Sequence, residues 1–194
     1  PLNQSTWIVA YSGISRELTK SGYNVRVAEC YQAAAMLKDG ARKLSDVSHQ
    51  EFEEKQGQLP THLRRRAEHF FGDVERVHRG AQAWQESDLE LFGQLMNKSC
   101  ESSIKNYESG SEILIELSEL VSNTNGVHGS RFSGGGYGGC VVALAEKDKA
   151  EAASQEIADE FSARHPELPS RVFVAEMGDG ISVLATEEIV GVKS

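Results

Sequence analysis

The sequence predicts an α+β domain, on three observations. Helical periodicity fills most of the chain. Short apolar runs bounded by Gly or Pro lie near its two ends, and the last two of them are joined by a hairpin turn, Gly178-Asp179-Gly180. Helices that outnumber strands, with strands paired by a hairpin, argue for helices packed on an antiparallel sheet and against a doubly wound parallel sheet.

In chain order, residues 6–12 form a short apolar run ending in Ser12-Gly13, which reads as a buried strand. From Gly22 the pattern turns helical, with Val27, Tyr31, Ala34 and Ala35 as the expected inner face and Gly40 as the stop. Residues 41–60 are polar and less regular, although Ser48-x-x-Glu51 has the form of a capping box for a short helix. Thr61 opens a long helix whose expected face is Leu63, Ala67, Phe70, Val74, Val77, Ala81 and Trp84. Asp88 is a candidate N-cap for the next helix, with Leu89, Phe92, Leu95 and Met96 as its stripe. Ser109-x-x-Glu112 reads as the capping box of another helix through Leu114, Leu117 and Val121, ended by Asn125-Gly126.

A glycine stretch then leads into a strand at residues 140–145. A helix over about 148–164 follows, burying Ala150, Ala153, Ile157 and Phe161, and Pro166 and Pro169 end it. Residues 171–176 and 181–185 read as the two strands of the terminal hairpin.

The net charge of -9, from 20 basic against 29 acidic residues, excludes a nucleic acid or an anionic membrane as the expected partner, since both need clustered basic surface. The one basic run, Arg64-Arg65-Arg66, falls inside a helical pattern and is read as a solvated face. Cys30, Cys100 and Cys140 are far apart and lack metal-ligand spacing. No apolar stretch approaches the roughly 18 residues of a membrane span and no signal-like N-terminus is present, so a reduced cytoplasmic protein is expected. The chain starts at Pro1 and runs at once into a strand, which reads as a fragment of something longer.

Five of the six residues from Gly134 to Gly139 are glycine, and Cys-Val-Val-Ala-Leu follows directly. Gly134-x-Gly136-x-x-Gly139 has the spacing of a dinucleotide fingerprint, but that fingerprint follows a strand and opens a helix. A phosphate-binding P-loop would end in Gly-Lys-Ser/Thr. A protein-kinase glycine loop would come with a strand lysine, a His-Arg-Asp loop and Asp-Phe-Gly, none of which occurs. Two readings remain: a tight turn packed against a helix, or a loop whose bare backbone approaches a ligand.

The run Gly129-Ser-Arg-Phe-Ser-Gly-Gly-Gly-Tyr-Gly-Gly-Cys140-Val-Val resembles the C-terminal motif of the GHMP small-molecule kinases, most closely the galactokinase form. Ser12-Gly-x-x-Arg16-Glu-Leu18 with Gly22-Tyr23-Asn-x-Arg26-x-x-Glu-Cys30 is similar to the segment that follows the catalytic aspartate there. A third match runs through Arg66-Ala-x-His69, Arg76-Val, Asp88-Leu and Phe92-Gly-x-Leu-Met96-Asn-x-Ser99. Cys100 stands where galactokinases usually carry His. Residues 102–112 and 22–30 look more like galacturonokinase, which leaves the sugar open between the two.

The resemblance implies the GHMP C-terminal domain fold, an antiparallel, ferredoxin-like sheet packed with several helices and spanning residues 1–194, with the glycine motif at 129–145. It also implies ATP-dependent phosphorylation of the anomeric hydroxyl of galactose or a relative such as galacturonate. No catalytic residue is expected in this chain. The base, its Arg partner and the Ser-rich nucleotide loop would lie upstream in a missing N-terminal half, so the fragment alone is expected to be inactive. Tyr23 matches the family tyrosine that hydrogen-bonds the sugar, and Ser133, Gly134, Gly135, Gly136, Gly138 and Gly139 match the substrate and phosphate loop. ATP and Mg²⁺ are the implied cofactors of the longer protein.

Arg131 reads either as a partner for a phosphate or sugar carboxylate or as half of a structural ion pair. Cys100 reads as a small buried hydrophobe. The six histidines show no metal-ligand spacing, so no metal held by this chain is expected. A non-catalytic sugar-binding or regulatory protein on the same scaffold is the alternative.

Overall fold

A computed structural model describes residues 3–15, 22–176 and 178. The predicted hairpin at Gly178-Asp179-Gly180, its strand at 181–185, and Arg16 to Leu18 of the second motif fall outside or largely outside these residues. The elements run β1 (Ser5–Tyr11), α1 (Tyr23–Leu37), α2 (His49–Lys55), α3 (Thr61–Glu86), α4 (Leu89–Lys105) and α5 (Glu112–Asn123). They continue with β2 (Val127–Phe132), β3 (Cys140–Glu146), α6 (Ala150–Arg164) and β4 (Arg171–Ala175). The four strands form one sheet in the order β2-β3-β1-β4, every pair antiparallel. The expected α+β architecture is the observed one.

Alternation decides the two faces of the sheet. Ile8, Ala10, Val141, Ala143 and Ala145 point to one side, where α5 (Leu114, Leu117, Val121) and α6 (Ala150, Ala153, Ile157, Phe161) close over them. Full burial of the Ile, Val, Leu and Phe side chains among them stabilises the fold by about 2 kcal/mol each. Trp7 and Leu144 point to the other side, where Leu89 and Met96 of α4 meet them. Cys100 is buried in the first core, and burial pushes its thiol pKa up, so it packs as an inert hydrophobe.

The strand β2 was not expected from its sequence. Val-His-Gly-Ser-Arg-Phe has no clean alternation, and its register shifts between Val127 and Gly129. The reason is α4, which lies directly on it. A Cβ at Gly129 would sit 2.0 Å from the Gly93 carbonyl oxygen, and a Cβ at Gly93 would sit 2.2 Å from that of His128. Glycine facing glycine lets helix and strand backbones touch.

A second core joins the first three helices through Ala33, Ala34, Leu37, Leu44, Phe52, Leu63, Ala67 and Phe71. Phe52 and Phe71 stack at 4.5 Å. Here the predicted faces need correction. On α1 the buried residues are Ala33, Ala34 and Leu37, while Tyr31 is exposed. On α3, Val74 and Val77 face solvent and Gly80 and Ala83 are buried instead.

The caps follow local chemistry. Ser48 and Glu51 form the expected capping box on α2, and the Asp88 carboxylate accepts from the Leu91 amide. The cap of α5 is Ser111, not Ser109; the Ser109 hydroxyl instead donates to the Ser103 carbonyl.

Candidate functional site

The end of β1, the start of α1, the loop between α4 and α5, and the turn between β2 and β3 meet at one end of the sheet. The register Tyr11↔Cys140 brings β1 beside the first residue of β3. The Ser12 amide and hydroxyl both donate to the Gly139 carbonyl, at 3.0 and 2.9 Å, and the Gly139 amide donates to the Ile14 carbonyl at 2.9 Å. On the other flank, the Ser111 amide donates to the Gly136 carbonyl at 2.9 Å, and the Ser133 amide to the Cys140 carbonyl at 2.8 Å. The glycine turn is therefore held from both sides.

Most of its glycines have a reason inside the chain. Gly134, Gly136, Gly138 and Gly139 all take positive φ. A Cβ on Gly136 would also meet Phe132 at 2.8 Å and the Gly110 amide nitrogen at 2.9 Å. Gly135 differs. It is exposed, is absent from the positive-φ group, and its Cβ would make only ordinary contact with the Tyr137 ring at 3.5 Å.

Tyr137 links the turn to α1, since its hydroxyl lies 3.6 Å from the Cβ position of Gly22, the residue before Tyr23. Tyr23 opens α1 and is 44% exposed. Cys30, Tyr137 and Tyr23 lie near enough to Tyr107 to act on its hydroxyl. Burial, and then the neighbouring Cys30, push the Tyr107 hydroxyl well above its ordinary pKa, and burial also raises Cys30 and Tyr137. All three stay neutral and act as polar packing.

Behind them lies a charged hub. Arg66, expected on a solvated face, is 1% exposed. Its Nε donates to Glu29 at 2.6 Å, one Nη to Glu108 at 2.7 Å, and the other to the Asn106 carbonyl at 2.5 Å. Arg26 bridges the same two carboxylates, at 2.8 Å to Glu29 and 3.1 Å to Glu108. Burial alone would raise the Glu29 carboxyl, but the Arg66 and Arg26 guanidinium groups hold it below the usual carboxylate range. Glu108 is held low first by its hydrogen bond from Arg66. Glu108 itself takes φ +52, a backbone conformation that only surrounding contacts sustain.

The hub was missed because its signal is not local. It ties α1, which carries Tyr23, to the loop whose Ser111 holds Gly136. Tyr23 and the glycine turn are thus brought together, with exposed backbone at Gly134 and Gly135.

Arg131 lies elsewhere, on the sheet face opposite Phe132 and beside α3 and α4. No group of three or more His, Cys, Asp or Glu side chains among the described residues is placed to hold a metal ion. Among them, too, no helix is long and apolar enough to cross a membrane.

Residues 81–163 match the family of GHMP kinases C-terminal domains. The chain is 39% identical over 190 residues to the galacturonokinase of Arabidopsis thaliana, covering 91% of the chain and 45% of that protein. It is 33% identical over 177 residues to the galactokinase of Roseiflexus sp. (strain RS-1), with 90% and 45% covered. Among solved structures it resembles Lactococcus lactis galactokinase complexed with galactose, at a TM-score of 0.79 and 27% identity, covering 93% of this chain and 47% of that one. The chain spans about half the length of the curated relatives it matches.

Proposed function

We propose that this chain, whose residues 81–163 match the C-terminal domain of GHMP kinases, forms one wall of the cleft of a sugar-1-kinase. The substrate is galactose or a relative such as galacturonate. The observation that carries this reading is Gly135. Its neighbours in the turn need glycine for backbone conformation or packing, whereas Gly135 needs it for neither, and it stands exposed against the ring of Tyr137, whose hydroxyl is next to Gly22. A glycine without a use inside the chain is the place where a sugar or a transferring phosphate can come against main chain.

In this reaction the anomeric oxygen forms a bond to the γ-phosphorus of ATP. The bond to the leaving ADP oxygen breaks, and the hydroxyl proton passes to a base. Such transfer depends on positioning and charge stabilisation. This chain supplies positioning: Tyr23 offers its hydroxyl to the sugar, and Ser133 with Gly134, Gly135, Gly136, Gly138 and Gly139 shapes the opposing edge. The base, the nucleotide loop and any Mg²⁺ ligands belong to the part of the relatives' length that this chain does not span. The three free thiols fit a reducing, cytoplasmic setting.

The test is a product assay with ATP and a panel of galactose, galacturonate and arabinose, run on the protein that contains these 194 residues. Formation of a sugar 1-phosphate from galactose or galacturonate supports the reading. Binding of sugar without any turnover of ATP refutes it.

A further inference from the structure

Of the residues in the glycine motif, Arg131 stands apart from the turn, and no described residue forms an ion pair with it. Its side chain makes no hydrogen bond or ion pair with any other described residue. It lines a cavity of about 300 Å³ between the sheet and the α3–α4 pair, with no residue of the glycine turn and no part of Tyr23 in the lining. Trp7, Val77, Phe92, Leu95, Met96 and Val142 form the apolar walls. The exposed Val77 stands at the edge, which gives that solvent-facing apolar side chain a use.

The remaining polar groups of the cavity neutralise each other. Asp73 accepts from Arg76 at 2.8 Å and from the Ser99 hydroxyl at 2.9 Å, and the second Arg76 nitrogen lies 2.7 Å from the same oxygen. One guanidinium is left over, half-buried and facing apolar walls. A planar donor fork of this kind matches a carboxylate, and the volume is at the lower end of small-ligand pockets.

We propose that this cavity binds a small monocarboxylate carried on an apolar body, with the carboxylate on Arg131 and the hydrocarbon against Trp7 and Phe92. The inference concerns a ligand class unlike a polyhydroxylated sugar and does not depend on the kinase reading. The single uncompensated charge selects a monoanion. The wall composition selects an aromatic or branched body over a polar one.

The experiment is calorimetric titration of the protein that contains these 194 residues with 4-isopropylbenzoate and, separately, with its uncharged amide, 4-isopropylbenzamide. Loss of a charge-assisted hydrogen-bonded pair predicts that the amide binds at least about tenfold more weakly. Arg131→Met is expected to remove the preference for the acid, Arg131→Lys to keep part of it, and Trp7 emission to respond to the acid. Equal affinity for acid and amide, absence of binding heat with either, or an Arg131→Met chain that still prefers the acid would overturn the proposal. If Arg131→Met does not fold, the acid–amide comparison on the unaltered chain decides it.

Discussion

The Nε of Arg66 lies 2.6 Å from a carboxylate oxygen of Glu29, and the arginine is 1% exposed. One ion pair thus joins α3 to the helix that begins with Tyr23. The same guanidinium reaches Glu108 and the Asn106 carbonyl, so α1 and the loop between α4 and α5 both converge on this one side chain of α3. Removing it would strip both carboxylates of their buried partner and leave Arg26, with Arg65 at Glu108, as the remaining counter-charges.

Arg66→Met is therefore expected to destabilise the fold by about 2–3 kcal/mol, below the effect of orphaning a buried charge because Arg26 still pairs with both carboxylates. Chemical denaturation measures it. A loss below about 1 kcal/mol would put the pair in the class of solvated surface bridges.

The hub also sets a pH dependence. The folded pKa values of Glu29 and Glu108 are depressed, so the unfolded chain takes up protons before the folded one. Their contribution is fully present above the unfolded value, near 4.5, and is lost as pH falls through the lower folded values. Denaturation midpoints should thus fall steeply below that pH in the unaltered chain, and less steeply in Arg66→Met. Parallel profiles for the two proteins would contradict the assignment.

Gly93→Ala is expected to be among the most damaging methyl additions in the chain. Its Cβ would sit 2.2 Å from the His128 carbonyl oxygen, a backbone atom with no room to swing away. A loss of about 3 kcal/mol is expected, at the upper end for overpacking. Gly57→Ala, where a Cβ meets nothing within 4 Å, is the control, and thermal unfolding compares the two.

Within the glycine turn, stability should separate the residues. Gly136→Ala combines φ +81 with contacts at 2.8 and 2.9 Å, and should cost about 2 kcal/mol or more. Gly135→Ala should leave the unfolding midpoint nearly unchanged, because its Cβ meets only the Tyr137 ring at 3.5 Å. Equal losses at both positions would mean that the whole turn is a packing device.

The helices, three of the described strands and most caps were legible because each depends on residues close in sequence. The hub was not. Arg66 sits in a basic triplet that reads as surface, and its partners are 37 and 42 residues away. The strand β2 was hidden for the same reason, since Gly129 makes sense only against Gly93 on another element. The inner face of α1 was only partly legible: Ala34 is buried as expected, but Tyr31 and Ala35 are exposed and Ala33 and Leu37 do the packing beside it. At the site, glycine density marked the turn, but only backbone angles and neighbouring atoms separate glycines that serve the fold from the one that leaves space.

That separation makes Gly135→Val the most direct measurement, made in the protein that contains these 194 residues with its sugar kinetics and unfolding midpoint read together. We expect kcat/KM for sugar phosphorylation to fall by at least about tenfold, equivalent to about 1.4 kcal/mol of lost transition-state stabilisation, while the midpoint stays close to that of the unaltered protein. Undiminished phosphorylation by a folded Gly135→Val protein would contradict the close approach of a ligand to this turn.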